Sequence, residues 1–172
     1  MNDIAHWIHE RVPAGDDLTR EHLADLARAV AGRPELWRSY VRHDPNRRLW
    51  HQLYRDPHLD IWLICWEHAQ DTGYHDHDVS CGAVYVVEGT LLEDYFYRSD
   101  DGWVQERTRE RRPGSLWHFD SSSIHGLRHA SGPPVVSIHC YSPALWRMGH
   151  YQPGPLGLRR EPITYADELA VG

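Results

Sequence analysis

The sequence Gly73-Tyr74-His75-Asp76-His77 sets two histidines at positions i and i+2. On an extended strand, or at its entrance, such residues point to the same face. Both imidazoles can then bind one metal ion. The same alternation turns Asp76 to the opposite face. Asp78, just beyond, reads as a partner of a ligand or as a solvated group. Spacing alone does not separate a metal site from a buried pair that hydrogen-bonds within the fold. The context is what favours the metal. The pair is followed by Gly82 and the turn glycine Gly89, and a second block from Pro113-Gly114 to His125 brings another histidine one hairpin later.

Outward from this motif the chain reads as strands. Leu59–Trp66, Gly82–Val87, Thr90–Tyr97, Val104–Arg109, Ser115–His118 and Val135–Tyr141 are short and rich in β-branched and aromatic residues. Turn pairs separate them: Asp56-Pro57, Glu88-Gly89, Asp101-Gly102 and Pro113-Gly114. Many short strands at regular spacing predict an antiparallel sandwich or barrel. Before them the chain is helical. Thr19 caps a helix with Leu23, Leu26, Ala27 and Val30 on one face and Gly32 at its end. Pro34 opens a second short helix through Leu36, Trp37, Tyr40 and Val41. The expectation is an all-β dominated chain of one domain, 1–172. It has a helical segment at 1–45, a barrel at 46–150 and a tail at 151–172 that packs outside and ends in a short helix near Tyr165–Leu169.

The last strong strand, Val135-Val-Ser-Ile-His-Cys-Tyr141, carries a second constellation. Ser137, His139 and Tyr141 share one face, and Val136, Ile138 and Cys140 share the other. A polar row on an inward face is costly unless it is hydrogen-bonded, so an inward row implies a relay from Ser137 through His139 to the Tyr141 hydroxyl. Alternation does not fix which face is inside, and a surface stripe is the competing reading.

Composition narrows the function classes. A chain of 172 residues, 41% hydrophobic and 25% charged, is long enough for one real core. A formal charge of −7 disfavours nucleic-acid binding, which needs a cationic face. The Arg107–Arg112 cluster contains Glu110 and reads as a solvated edge. No apolar stretch is long enough to span a bilayer, and Met1–Arg11 lacks the features of a signal peptide. Three dispersed cysteines fit a reducing compartment, so a cytoplasmic location is expected.

The two histidine blocks resemble those of the cupin superfamily, a jelly-roll-like β-barrel, over residues 60–142. Gly73, His75, His77 and Gly89 fit the first block, and Gly114 and His125 fit the second. Where most cupins place a glutamate ligand this chain has Gly82. Glu88 and Glu93 lie beyond that slot and read as turn and surface residues. The His-Asp-His pair, Ser80, His125 and the Ser-X-His-X-Tyr-Ser-Pro strand are together similar to the cysteine dioxygenase type I family of thiol dioxygenases. That resemblance implies a mononuclear Fe(2+) site held by His75, His77 and His125. It also implies Ser137, His139 and Tyr141 as a catalytic row, and a small thiol and O2 as substrates. Animal members carry a cysteine cross-linked to the tyrosine; its position here is Gly82. Cys81 is one residue off, on the opposite face, so no Cys81–Tyr141 crosslink is expected.

The thiol itself is left open. Cysteine-oxidising members hold the substrate carboxylate with an arginine shortly before the ligand strands. Arg47, Arg48 and Arg55 stand there, with Gln52 as another polar contact. Trp50, Tyr54, Trp62, Tyr85, Tyr95 and Trp117 either pack the core or wall a wider pocket suited to a betaine such as ergothioneine. Cysteine, 3-mercaptopropionate and ergothioneine are therefore the competing substrates. Another metal-dependent cupin enzyme, or a non-catalytic cupin that binds a metal or small ligand, is the alternative of a different kind.

Overall fold

The computed structural model of the protein describes residues 4–98, 104–154 and 157–161. Helix α1 spans Ile4–His9, α2 Arg20–Ala31 and α3 Pro34–Trp37, the last running into a 3-10 turn at Arg38–Tyr40. Thr19 caps α2 as expected, its Oγ1 accepting from the His22 amide at 3.3 Å. At the other end the Gly32 amide donates to the Arg28 carbonyl at 3.0 Å. Leu23, Ala27 and Val30 of α2 are fully buried. Each such aliphatic side chain contributes about 1.5–3 kcal/mol for a Leu or Val. Trp37 packs beneath the helix and donates its indole N–H to the Val30 carbonyl at 3.1 Å.

Eleven strands follow among the described residues: β1 Leu49–Arg55, β2 Asp60–Trp66, β3 Tyr74–His75, β4 Cys81–Glu88, β5 Leu91–Arg98, β6 Val104–Arg111, β7 Leu116–Phe119, β8 His125–His129, β9 Val135–Ser142, β10 His150–Gly154 and β11 Gly157–Arg160. They form two antiparallel sheets. One has the order β1-β2-β9-β4-β7 and the other β11-β10-β3-β8-β5-β6. This is the β-dominated, two-sheet architecture of a cupin barrel with helices on its outside.

Strand β9 organises the five-stranded sheet. All eight of its residues are buried, because it is covered on both faces. Val136, Ile138 and Cys140 pack with Leu23, Ala27 and Trp37 on the helical side. Val135 and Tyr141 pack with Trp66, Val84, Val86, Phe119 and Leu127 on the other. Leu91 and Leu127, from the second sheet, belong to this latter cluster, so it is the barrel interior. Ser137, His139 and Tyr141 therefore face inward.

The six strands read from sequence are present. Strands β1, β3 and β8 were not among them. β1 mixes polar and aromatic residues without clean alternation, and a register shift interrupts it between Gln52 and Tyr54. β3 is two residues long, too short to leave a pattern. The segment expected to be an outer tail instead continues the sheet: β10 pairs with β3, and β11 pairs with β10. Asp76 anchors this addition, accepting from the Gly149 amide at 2.9 Å and from the Tyr151 hydroxyl at 2.6 Å. The helix expected near Tyr165–Leu169 lies outside the described residues.

Gly89 closes the β4–β5 hairpin with φ +70°. A Cβ there would lie 2.5 Å from the Pro134 carbonyl oxygen, a backbone atom that cannot swing aside. Gly89→Ala is therefore expected to lose about 1–3 kcal/mol through left-handed strain and the contact. Thermal unfolding checks this; an unchanged melting temperature would contradict it.

Candidate metal centre

The short strand β3 lies between β10 and β8, and its register sets His75 directly opposite His125. His77 follows two residues later. One nitrogen from each of these three rings lies within 4.8 Å of the others. All three side chains are buried: His75 is 5% exposed, His77 1% and His125 3%. Burial, reinforced by the neighbouring histidines, drives the His75 pKa down to about 3 and holds His77 well below its ordinary value. The His75 and His77 rings are thus neutral and carry free lone pairs.

The hydrogen bonds leave one nitrogen of each ring for a common centre. His75 Nδ1 lies 3.1 Å from the Gly73 carbonyl, which frees Nε2. His125 Nδ1 lies 3.0 Å from Glu93 Oε1, which again frees Nε2. Neither nitrogen of His77 has any partner, although both are buried. A buried polar group without a partner costs about 1–3 kcal/mol. A metal ion bound by the three rings would remove that cost. The donor set suits the imidazole-binding transition metals and leaves coordination positions open.

Position 82 explains why no carboxylate joins them. Gly82 is paired with Tyr141, and a Cβ added to it would meet the Phe119 ring at 2.5 Å and Tyr141 Cδ1 at 3.0 Å. The Phe119 ring fills the slot and stacks on His77 at 4.6 Å. Cys81, one residue away, turns out of the barrel, its thiol 3.3 Å from the Ser142 carbonyl and 3.5 Å from that of Leu18.

Glu93 overturns its sequence reading as a surface residue. It is 5% exposed and bonded to His125. Its second oxygen accepts from Arg111 Nε at 2.9 Å. Burial works to raise its pKa, but His125 and Arg111 outweigh burial and hold it below the usual carboxylate value. Strand period would have located it: Leu91, Glu93 and Tyr95 share a face, and Leu91 is fully buried. A cavity of about 640 Å³ opens beside this group, bordered by Arg109, Arg111, Trp117, Phe119 and His125.

The inward row of β9 forms a continuous chain of contacts. Trp66 Nε1 donates to Ser137 Oγ at 2.9 Å; Ser137 Oγ lies 2.8 Å from His139 Nε2; His139 Nδ1 lies 3.2 Å from the Tyr141 hydroxyl. Burial lowers the His139 pKa to about 3 and raises that of Tyr141, so both stay uncharged near neutrality. The Tyr141 ring lies 5.3 Å from that of His77, so the row ends at the three histidines. Trp66 gave no sign of this part in the sequence.

The four candidate substrate contacts separate. Arg48 comes to the site. Its guanidinium sits 4.8 Å over the Trp66 ring, and its charge acts on His75, His139 and Tyr141. It donates to the Asp71 carbonyl, and its buried Nε has no partner. Burial lowers its pKa from the high arginine value. Arg47 does not come to the site: it is exposed and paired with Asp44 at 3.5 Å. Gln52 shares the inner face of β1 but is engaged, donating to Asp60 Oδ1 at 3.0 Å. Arg55 also binds Asp60, at 2.6 Å. Asp60 in turn is the strand partner of Tyr141. Asp78 pairs with Arg147 at 2.9 Å.

Comparison with known proteins points to one family and one fold. The profile of the family described as cysteine dioxygenase type I matches residues 2–153. Cysteine dioxygenase type 1 of Rattus norvegicus is 25% identical over 149 residues, covering 83% of this chain and 74% of its own. The enzyme of that name from Danio rerio is 22% identical over 151 residues, with the same coverage of 83% and 74%. A cupin superfamily protein from Desulfitobacterium hafniense has a similar fold, with a TM-score of 0.51 at 10% identity, over 62% of this chain and 87% of that one.

The orphaned His77 gives a direct check. His77→Leu is expected to abolish metal uptake while leaving the metal-free protein as stable as the parent or more so, because it removes two unsatisfied buried nitrogens. Metal content after dialysis and the metal-free melting temperature together decide this. Retained stoichiometric metal would show that His77 is not a ligand.

Proposed function

The chain belongs to the cysteine dioxygenase type I family, and from that premise we propose that it is an Fe(2+)-dependent dioxygenase that converts a small thiol to its sulfinic acid. The observation that carries this reading is the junction of three buried histidines with the Ser137-His139-Tyr141 row inside one barrel. His75, His77 and His125 would hold the ion. A ferrous ion held there would supply redox chemistry toward O2 and a positive charge that favours the thiolate form of the substrate. Both oxygen atoms end on sulfur. Sulfur gives up four electrons and O2 accepts four, so no external reductant is needed.

The chain's own residues supply orientation. Trp66 already donates to Ser137 Oγ, which leaves the serine proton free for His139 Nε2. The proton of the neutral ring then sits on Nδ1 and is donated to the Tyr141 oxygen. Tyr141 in turn keeps its own proton for a hydrogen bond into the site. Phe119, Trp62 and Trp66 pack in the same buried apolar cluster as Tyr141.

Arg48 is the residue we assign to the substrate's carboxylate. It binds a backbone carbonyl rather than a carboxylate, and a guanidinium matches a carboxylate in shape and charge. This favours cysteine or 3-mercaptopropionate. One feature favours ergothioneine instead: Trp50 and Trp62 form an edge-to-face pair at 5.1 Å. Such a wall suits a flat ring or a quaternary ammonium.

Oxygen uptake by anaerobically iron-loaded protein, offered cysteine, 3-mercaptopropionate, cysteamine and ergothioneine, tests the function. Uptake with one thiol and sulfinate as product is the expected result. Bound iron without uptake for any of them would turn the assignment to a non-catalytic cupin or another cupin chemistry. Tyr141→Phe is expected to keep its iron and lose roughly tenfold to a hundredfold in turnover, the scale of one positioned proton donor. Wild-type turnover would remove Tyr141 from the mechanism.

A further inference from the structure

The His125–Glu93–Arg111 array is unusual in its burial. The Glu93 side chain is 6% exposed and that of Arg111 12%. Glu93 comes from β5, directly beside β8, and Arg111 from the neighbouring β6. One carboxylate oxygen faces His125 Nδ1 at 3.0 Å, and the other is held by Arg111 through Nε, at 2.9 Å, and Nη2. The guanidinium is fixed from its far side by the Trp117 ring at 4.4 Å. A buried ion pair of this kind adds little to stability over an apolar replacement, because desolvation offsets the attraction. Its placement is therefore informative: it ends on a histidine of the three-ring cluster.

An ionised carboxylate only accepts hydrogen bonds. Glu93 thus fixes the proton of His125 on Nδ1 and the lone pair on Nε2, facing His75 and His77. It also pushes electron density into that ring. Position 82 offers no carboxylate, since Phe119 fills its space.

We propose that Glu93 is a positioning residue for the metal, supplying through His125 the negative charge that residue 82 does not, and that Arg111 sets how strongly it does so. Glu93 orients and polarises His125 without touching the ion. Arg111 withdraws charge from Glu93 and so opposes it. This rests on the three histidines binding a metal. It does not depend on the identity of the substrate or on thiol oxidation.

The two residues act in opposite directions, and a scaffold role would not produce that. In Glu93→Gln the amide would face the Arg111 donors, so the informative variant is Glu93→Gln with Arg111→Met. It retains an acceptor for Nδ1 and removes the charge. Anaerobic Fe(2+) titration against a competing chelator, and the midpoint potential of the bound iron, are measured without thiol. The double variant is expected to bind Fe(2+) roughly tenfold to a hundredfold more weakly and to shift the potential upward. Arg111→Met alone is expected to shift it downward, because Glu93 is then uncompensated. Unchanged affinity and potential in a folded double variant would overturn the proposal. Should that variant not fold, an unchanged or raised potential in Arg111→Met would overturn it as well. Wild-type protein that binds iron but consumes no oxygen with any thiol would count against the dioxygenase function and leave this proposal standing.

Discussion

Three imidazoles buried side by side cannot all be protonated, and the rest of the site follows from that electrostatic constraint. Burial and mutual repulsion keep His75 and His77 neutral. Neutral rings bring lone pairs but no charge, and His77 is left with two nitrogens that nothing in the protein satisfies. The fold accepts that cost because β3, held between β10 and β8, has no other register in which His75 meets His125. A two-residue strand is stabilised by its neighbours rather than by its own pairing. The addition of β10, anchored through Asp76, is therefore part of what keeps the cluster in place.

The second constraint is that β9 is buried on both faces. Its residues Val136, Ile138 and Cys140 on one face are apolar and meet the helices. Its odd-numbered ones carry a serine, a histidine and a tyrosine into the barrel, where each needs a partner. Trp66 closes the row at one end, and the Tyr141 hydroxyl leaves it at the other. One alternation thus joins the core packing of the helical layer to the polar lining of the site. A one-residue slip of β9 would put the polar row among the helices and Val136, Ile138 and Cys140 in the barrel, so both layers enforce the same register.

Much of this was legible in period and spacing. The two histidine blocks, the strong strands and the Thr19 cap are local patterns, and they have their expected places in the fold. Which face of β9 lies inside was not legible, because alternation is symmetric until a second layer breaks the symmetry. Glu93 was misread because its distance along the chain from the histidines hid a contact made across neighbouring strands. Arg47 and Arg48 look equivalent in sequence. One is paired in solvent with Asp44, and the other is drawn over Trp66, a difference made by the tertiary environment of adjacent side chains. The short strand β3 and the added β10 and β11 were hidden for the same reason: their pairing comes from neighbours distant in sequence.

Charge balance joins these parts into a statement about what the site accepts. Glu93 and Arg111 carry opposite charges and nearly cancel at long range, although at close range Glu93 is the nearer to His125. His75 and His77 add no charge, and a carboxylate at position 82 has no room. A divalent ion at this centre would therefore keep most of its charge, and Arg48 adds another cation on the same inner face. In a buried, low-dielectric space such an excess is costly unless a ligand neutralises it. A ligand that is anionic at the metal-binding atom and again a few bonds away fits this field best. A thiolate with a carboxylate meets both demands. An uncharged thiol meets one, by losing its proton at the metal. A betaine with a thione sulfur also satisfies Arg48, but its fixed cation then needs the Trp50–Trp62 wall as its counterpart. Arg48 lies on the inner face, whereas Trp50 is 47% exposed, so a ligand reaching both would extend from the buried histidines toward the surface.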